Sequence, residues 1–572
     1  MRVAKRVKLL VALGLVLTLF LSGCAQAAPI PTPTPVPMPA PVPAPAPAPK
    51  PAPTPTPAPT PTGPYGDLKV AMSSLYSEGF DPALQTTGAQ SMYMKNTYLQ
   101  ALIFTGQKKG ELLPGLLEKW VMAPDALSWT LTVRRGVKFH NGDPFTAKDV
   151  KFNLDRYSKG AYAHAGTVNA FIKSVELVDD DAVRVISNGT QPFSYAIMLE
   201  AGGGEAALMI PKDYYERVGA PGYQRNPVGT GPWKFSRHVL GDMFEFEAVD
   251  NHWRKTPEFK KLALILIPEM TTRVAMLRTG AVDATDIGIE EATSLESLGF
   301  KTVMGGSNQV PVVNLIGAYE PGAGPIGDVR VRQALSLAIN RDEIGKAFFH
   351  GKALLPVVNG VGPLSGDIDI DYWRDYSNKR YVYDLEKAKQ LLKAAGYPDG
   401  FNIRFYSMPV SGSPFLPALT EIIQGYWRGI GIKAELYPID TSLFYTFRNV
   451  TKVPNSQAIG TASIYRVTES SRGPNTAQSF LNGFHTKDLF GLQGSSHPEL
   501  DKLIDAAVGE IDAKKRAATV DELMKTTADM WVRLDILNVP SMCAIGSNVD
   551  LDDMPQGIST LASVAFLARH RK

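Results

Sequence analysis

The chain is 572 residues long, with 44% apolar residues, 20% charged residues and two cysteines; it is too long for one hydrophobic core and too poor in cysteine for a disulfide scaffold. Fifty-nine Lys and Arg oppose 56 Asp and Glu, and four of the basic residues, Arg2, Lys5, Arg6 and Lys8, crowd the first eight positions. Without those four the remainder is close to neutral, so charge gives no reason to expect nucleic acid or an anionic membrane surface as a partner.

Behind those charges Leu9 to Leu21 is a largely apolar run of thirteen residues, too short to span a bilayer and laid out as an export signal. It ends in Leu21-Ser22-Gly23-Cys24, which resembles the bacterial lipobox. That resemblance implies that residues 1–23 are a signal peptide and that Cys24 carries a lipid. Cys543 is then left without a partner in the chain, and no intramolecular disulfide is expected. From Pro29 to Pro61 every odd-numbered residue is proline. Each intervening residue both follows and precedes a proline and is kept out of helix. Residues 24–64 therefore read as the lipidated cysteine and an extended tether, reaching roughly 100 Å at about 3.1 Å per residue.

The folded part begins near Tyr65. Gly66 to Ser73 alternates weakly and predicts an opening strand, and Phe80-Asp81-Pro82 predicts a turn before a helical stretch through Leu102. Trp129, Leu131 and Val133 predict one buried strand face. Asn141-Gly142-Asp143-Pro144 then predicts a turn, and Thr146 with Asp149 three residues on predicts a helix start. His140 and Asp143 invite a metal or catalytic reading, but no third ligand lies at a usable spacing and a polar turn accounts for both. Pro227 to Phe235, PVGTGPWKF, predicts a rigid turn feeding a strand, with Gly229 and Gly231 supplying permissive dihedrals and Pro232 fixing its own. It lacks the third glycine of a dinucleotide loop and the Gly-Lys-Ser/Thr ending of a P-loop. Leu262 to Ile267 predicts a strand, and Thr271 to Ala284 a helix stopped at Gly280. Asp328, Asn340 and Asp384 predict helix N-caps. Ile403 to Tyr406 and Lys433 to Tyr437 predict strands flanking a helix near Pro417 to Trp427, an α/β arrangement. His497 to Trp531 reads as largely helical, and Ile536 to Ile545 as a returning strand.

The run Trp129 to Arg156, WTLTVRRGVKFHNGDPFTAKDVKFNLDR, and the turn PVGTGPWKF resemble the family 5 solute-binding proteins, large extracytoplasmic receptors that hand peptides, nickel chelates and related solutes to ABC importers. The order of the remaining elements is similar too, over nearly all of the folded part. The resemblance implies an α/β protein with mixed β-sheets, a three-lobed clamshell of the periplasmic-binding-protein-like type II. Residues 65–104, 206–311 and 536–572 would form the first lobe, 105–205 the second and 312–535 the third. The implied protein is a lipid-anchored, monomeric receptor on the extracytoplasmic face, which takes a peptide or other small solute between the first and third lobes. Its partners would be an ABC permease and the ATPase of that importer. No catalytic residue, metal or cofactor is implied. A secreted hydrolase and a receptor that presents ligand to a membrane sensor stand as alternatives. Neither Gly-x-Ser-x-Gly, nor His-Glu-x-x-His, nor a Cys/His cluster supports the first.

The ligand-binding residues the resemblance implies are Thr86, Thr87 and Gly88, with Gly460, Thr461, Ala462 and Ser463, for backbone pairing, and Tyr406, Tyr465 and Arg466 on the walls. In the family's peptide receptors an aspartate in an Ala-Asp-x-x-x-Pro pattern holds the free amino terminus. Here that position falls near Ile464 or Tyr465, with Arg466 and Arg472 close by and Glu469 the one acid. A buried ammonium group without a carboxylate partner is costly. Ordinary free-amino peptides are therefore expected to bind weakly unless Glu469 swings in to replace the aspartate, and acylated peptides, carboxylates or sugars to be accepted.

Overall fold

The computed structural model describes residues 63–571 except 76–77, 85–93, 95–96, 107, 109, 160–167, 170, 191–206, 306–307, 363–364, 409–412, 440–456, 469–475, 486–496 and 553–559. Cys24, the tether, Thr86, Thr87, Gly88, Glu469 and Arg472 lie outside the described residues. No helix among the described residues is long and apolar enough to cross a membrane.

Three larger sheets carry the fold. A seven-stranded mixed sheet runs in the order Lys301–Met304, Met542–Ile545, Ala284–Ile287, Asp67–Met72, Lys261–Leu266, Met243–Ala248, Trp233–Val239. Its centre is parallel, Asp67–Met72 lying alongside both Lys261–Leu266 and Ala284–Ile287. Leu68, Val70, Leu262, Leu264, Phe244, Phe246 and Trp233 bury one side of it, and Trp233 Nε1 donates to Ala565 O at 2.8 Å, fastening the C-terminal helix. A four-stranded antiparallel sheet is built from residues 117–187. Trp129, Leu131 and Val133 are its buried face, as the alternation predicts.

A five-stranded sheet runs Lys433–Pro438, Asn402–Ser407, Thr461–Thr468, Gln309–Ile316, Arg533–Asp535. Helix Leu416–Arg428 links the two parallel strands Asn402–Ser407 and Lys433–Pro438. Its Trp427 stacks on Phe405, with centroids 5.0 Å apart, and donates to Leu335 O at 2.9 Å. The predicted caps are present: Asp328 accepts from Arg330 N, Asn340 from Glu343 N and Asp384 from Lys387 N.

The chain crosses between the seven- and five-stranded sheets twice, and the two crossings run side by side. Lys301–Met304 pairs with Met542–Ile545 in the first sheet, and Val312 to Asn314 with Arg533–Asp535 in the second. Between them Gly305 N donates to Ser541 O, Gln309 and Val539 exchange two bonds of 2.7 Å, and Ile536 N donates to Pro311 O at 2.9 Å. The predicted single strand from Ile536 to Ile545 is thus a connector followed by Met542–Ile545.

The turn Pro227 to Phe235 holds its glycines for a different reason from the predicted one. Neither Gly229 nor Gly231 adopts a positive φ. A Cβ on Gly229 would stand 1.9 Å from Tyr98 O, and one on Gly231 2.0 Å from Thr97 O. The turn lies directly on that backbone, Gly231 N donating to Tyr98 O and Trp233 N to Thr97 O. Thr97 to Ala101 is turn and isolated bridge, so the predicted helix does not continue through Leu102.

His140 closes the turn from the other side: its Nε2 donates to Gly231 O at 2.8 Å, its own N–H donates to Gly229 O, and its Nδ1 accepts from Gly229 N. His252 and Trp253 cap Thr230 O in the same way. His140 is therefore a structural clamp, and no His/Cys/Asp/Glu metal cluster exists among the described residues. Burial holds its ring at about 4, against an ordinary 6.5.

Adding a methyl group at Gly229 or Gly231 has no room to relax without breaking this contact. Gly229→Ala should cost about 2 to 4 kcal/mol, measured as a shift in urea midpoint; an unchanged midpoint would contradict the close approach. The lowered His140 value means that the unfolded chain takes up a proton where the folded protein does not. Its stabilisation is complete above pH 6.5 and is lost as pH falls toward 4. Wild type should therefore lose about 1 to 2 kcal/mol more than His140→Gln between pH 7 and pH 5, read from denaturation curves at the two pH values.

Candidate functional site

Register decides which side chains of the five-stranded sheet share a face, because residues directly opposite one another point the same way. Phe405, Ala462, Leu315, Val313, Ile464 and Leu534 face the helices and belong to the main apolar core. The opposite face is polar. Tyr406 lies beside Ser463, Ser463 opposite Asn314, and Asn314 opposite Arg533, a row that spans four strands. The next row holds Tyr465, Val312 and Asp535.

Of the predicted site residues, Thr461, Ser463, Tyr465 and Tyr406 fall on this polar face. Ala462 and Arg466 fall on the other, as strict alternation requires. Ala462 and Ser463 have protein strands on both sides, so their backbones are spent within the sheet. Gly460 starts the strand with φ +79°, donating to Ile316 O, and a Cβ there would press on Gly322 O and Ala323 O at 3.1 and 3.2 Å. Its role is to admit that turn. Tyr406 is buried in a small cluster with Ile316 and Ala458 and accepts from Arg404 at 3.2 Å.

Three residues that the sequence reading passed over dominate the polar face. Asp535 accepts from Arg533 Nε at 2.7 Å, from Tyr381 Oη at 2.9 Å and from Asn359 N at 2.9 Å. Arg341 donates to Asp535 O and to Ser336 O and Oγ, under the Tyr381 ring. Burial pulls its guanidinium down to about 10 and pushes the Tyr381 hydroxyl up. Arg533 Nη2 and Asn314 Oδ1 are buried without a hydrogen-bond partner. The signal was present in the sequence: Arg533 and Asp535 are two charges at alternate positions of an otherwise apolar run, Trp531 to Leu537.

The family model for bacterial extracellular solute-binding proteins, family 5 Middle, matches residues 111–489. The chain belongs to this family. It is 28% identical over 465 residues to heme-binding protein A of Haemophilus influenzae, covering 77% of this chain and 81% of that one. It is 31% identical over 380 residues to the glutathione-binding protein GsiB of Salmonella choleraesuis, covering 65% and 70%. The fold matches that of the ABC transporter-associated periplasmic binding protein DppA of Helicobacter pylori in complex with the peptide STSA, with a TM-score of 0.71 and 24% identity over 89% of this chain and 98% of that one.

A family 5 solute-binding protein is a binding protein and not an enzyme, so the hydrolase alternative falls. The expected α/β architecture with mixed sheets is likewise that of the family's solved structures. In this receptor the buried carboxylate of Asp535 serves Arg533 and the hydroxyl and backbone groups around it. Asp535→Ala would leave the buried Arg533 guanidinium without its carboxylate and should cost about 3 to 5 kcal/mol. Thermal unfolding would check it; a loss below 1 kcal/mol would show that solvent reaches the cluster.

Proposed function

We propose that this family 5 protein takes a peptide or related small solute between its first and third lobes and delivers it to an ABC permease, held to the membrane as a monomer by a lipid on Cys24. The observation that carries the reading is the hydrogen-bonded double crossing between the seven- and five-stranded sheets. Two narrow strands bend more readily than a packed core, so one sheet swings against the other while each keeps its own helices. Solute must bind the closed arrangement more tightly than the open one, since equal affinity shifts nothing. The lobe limits proposed, 65–104, 206–311 and 536–572 for the first, 105–205 for the second and 312–535 for the third, are supported by the way strands are shared among the three sheets. The names of the relatives, for heme and glutathione, support a small organic solute and leave its identity to experiment.

Native mass spectrometry of protein purified without refolding should show retained solute. The buried Cys543, whose thiol burial pushes up to about 12, will not compete for label. Spin labels at Leu240→Cys and Tyr437→Cys, both exposed, should therefore report a shorter, narrower distance when the recovered solute is returned. An unchanged distribution with solute bound would sink the hinge. Cys24→Ala should move the protein to the soluble extracytoplasmic fraction, and unchanged membrane retention would sink the anchor.

A further inference from the structure

Buried polar atoms are almost always paired, because an unpaired one loses its water without compensation. Arg533 Nη2 and Asn314 Oδ1 break that rule together, on two residues that face each other across adjacent strands. The Arg533 side chain is only 7% exposed. Opposite residues bring their Cβ atoms to about 5 Å, yet the guanidinium is drawn along the strand by Asp535 and lies over the Phe484 ring at 5.5 Å. The two unpaired atoms therefore do not meet.

Charge gives an independent indication. Arg533 and Arg341 are two buried cations, but only Arg533 is bonded to the Asp535 carboxylate, while Arg341 reaches the backbone carbonyl of that residue. The other partners of Arg341 are carbonyl and hydroxyl oxygens, and the nearby Arg380 has its own acid, Asp529, at 3.6 Å. The cluster carries one positive charge more than it neutralises. Beside Nη2 stands Gly360, at φ +64°, where a Cβ would approach that nitrogen to 3.2 Å; the missing side chain keeps space at the unpaired donor.

We propose that Arg533 and Asn314 form the inner end of the solute site and receive an acylated α-amino acid, its carboxylate on Arg533 Nη2 and its amide N–H on Asn314 Oδ1. This rests on the proposed capture of solute between the first and third lobes, and takes the polar face of the five-stranded sheet as the third lobe's wall of that site. An amide nitrogen and a carboxylate on one Cα lie about 3 Å apart, the right kind of bridge between a donor and an acceptor that face each other without touching. A free ammonium group in the same place would add a cation to a cluster already in excess. A sugar would satisfy both atoms and leave the charge. Tyr465, on the same face, and Phe484 supply apolar wall for the acyl group.

The test uses the mature protein and two equimolar libraries of N-acetyl tripeptides, one with free carboxylates and one with C-terminal methylamides. After native desalting, the retained peptides are measured by mass spectrometry. Wild type should enrich the carboxylate series at least tenfold. Asn314→Asp, nearly isosteric, supplies the missing negative charge opposite Arg533 and should abolish the enrichment, as should Arg533→Met. Melting curves establish that the variants are folded, and Asn314→Asp carries the test if Arg533→Met is not. Equal retention of the methylamides, or enrichment unchanged in the folded variants, overturns the proposal. Retention of neither library also overturns it. A parallel arm with a small-molecule cell extract then separates the two readings: another solute retained leaves solute capture standing, and nothing retained removes both.

Discussion

The double crossing at residues 301–316 and 533–545 constrains everything else. Because each crossing is hydrogen-bonded to the other, neither sheet shifts register against its neighbour without breaking bonds in both. The same strands continue into the sheets themselves, so the row that holds Asn314 and Arg533 is only a few residues from the crossing. A group bound on that row would couple directly to the connection between the sheets.

Around this frame the protein uses buried polar groups as fasteners for backbone. His140, His252 and Trp253 satisfy the carbonyls of a turn that lies on Thr97 and Tyr98. Arg332 does the same for Met530 O, at the C-terminal end of the long helix Ala513–Met530, and for Ile326 O and Gly327 O in the short turn Gly324–Gly327. In each case the side chain has its hydrogen-bonding capacity largely used by neighbouring backbone. Arg533 and Asn314 differ in that two buried atoms with capacity left over belong to residues directly opposite each other on adjacent strands.

The polar face differs from a set of site residues chosen along one strand. Tyr406, Ser463, Asn314 and Arg533 come from four strands separated by up to some two hundred residues, and only pairing register aligns them. Arg466, next to Tyr465 in sequence, points the other way. The absence of an acid near Ile464 directs attention away from amino-terminal recognition, and Asp535, the carboxylate that does share this face, is already saturated by Arg533, Tyr381 and Asn359.

Much of the fold was legible from local chemistry. Alternation marked Ser128–Val133, the Asp384 cap and Gly396 bounded helix Leu385–Ala394, and the run Trp129 to Arg156 with the turn PVGTGPWKF was enough to indicate the family. Such features depend on residues a few positions apart, whose geometry the backbone itself fixes. What the sequence left undetermined was distance in space. Gly229 and Gly231 read as flexible dihedrals, whereas the requirement is the carbonyls of Thr97 and Tyr98, some 130 residues earlier. His140 read as a turn residue and is the clamp on that same contact. Arg533 and Asp535 fell between the helical reading to Trp531 and the strand expected from Ile536, and only the tertiary structure set them against Asn314, Tyr381 and Arg341, because burial and charge balance are properties of neighbours that the chain brings together after folding.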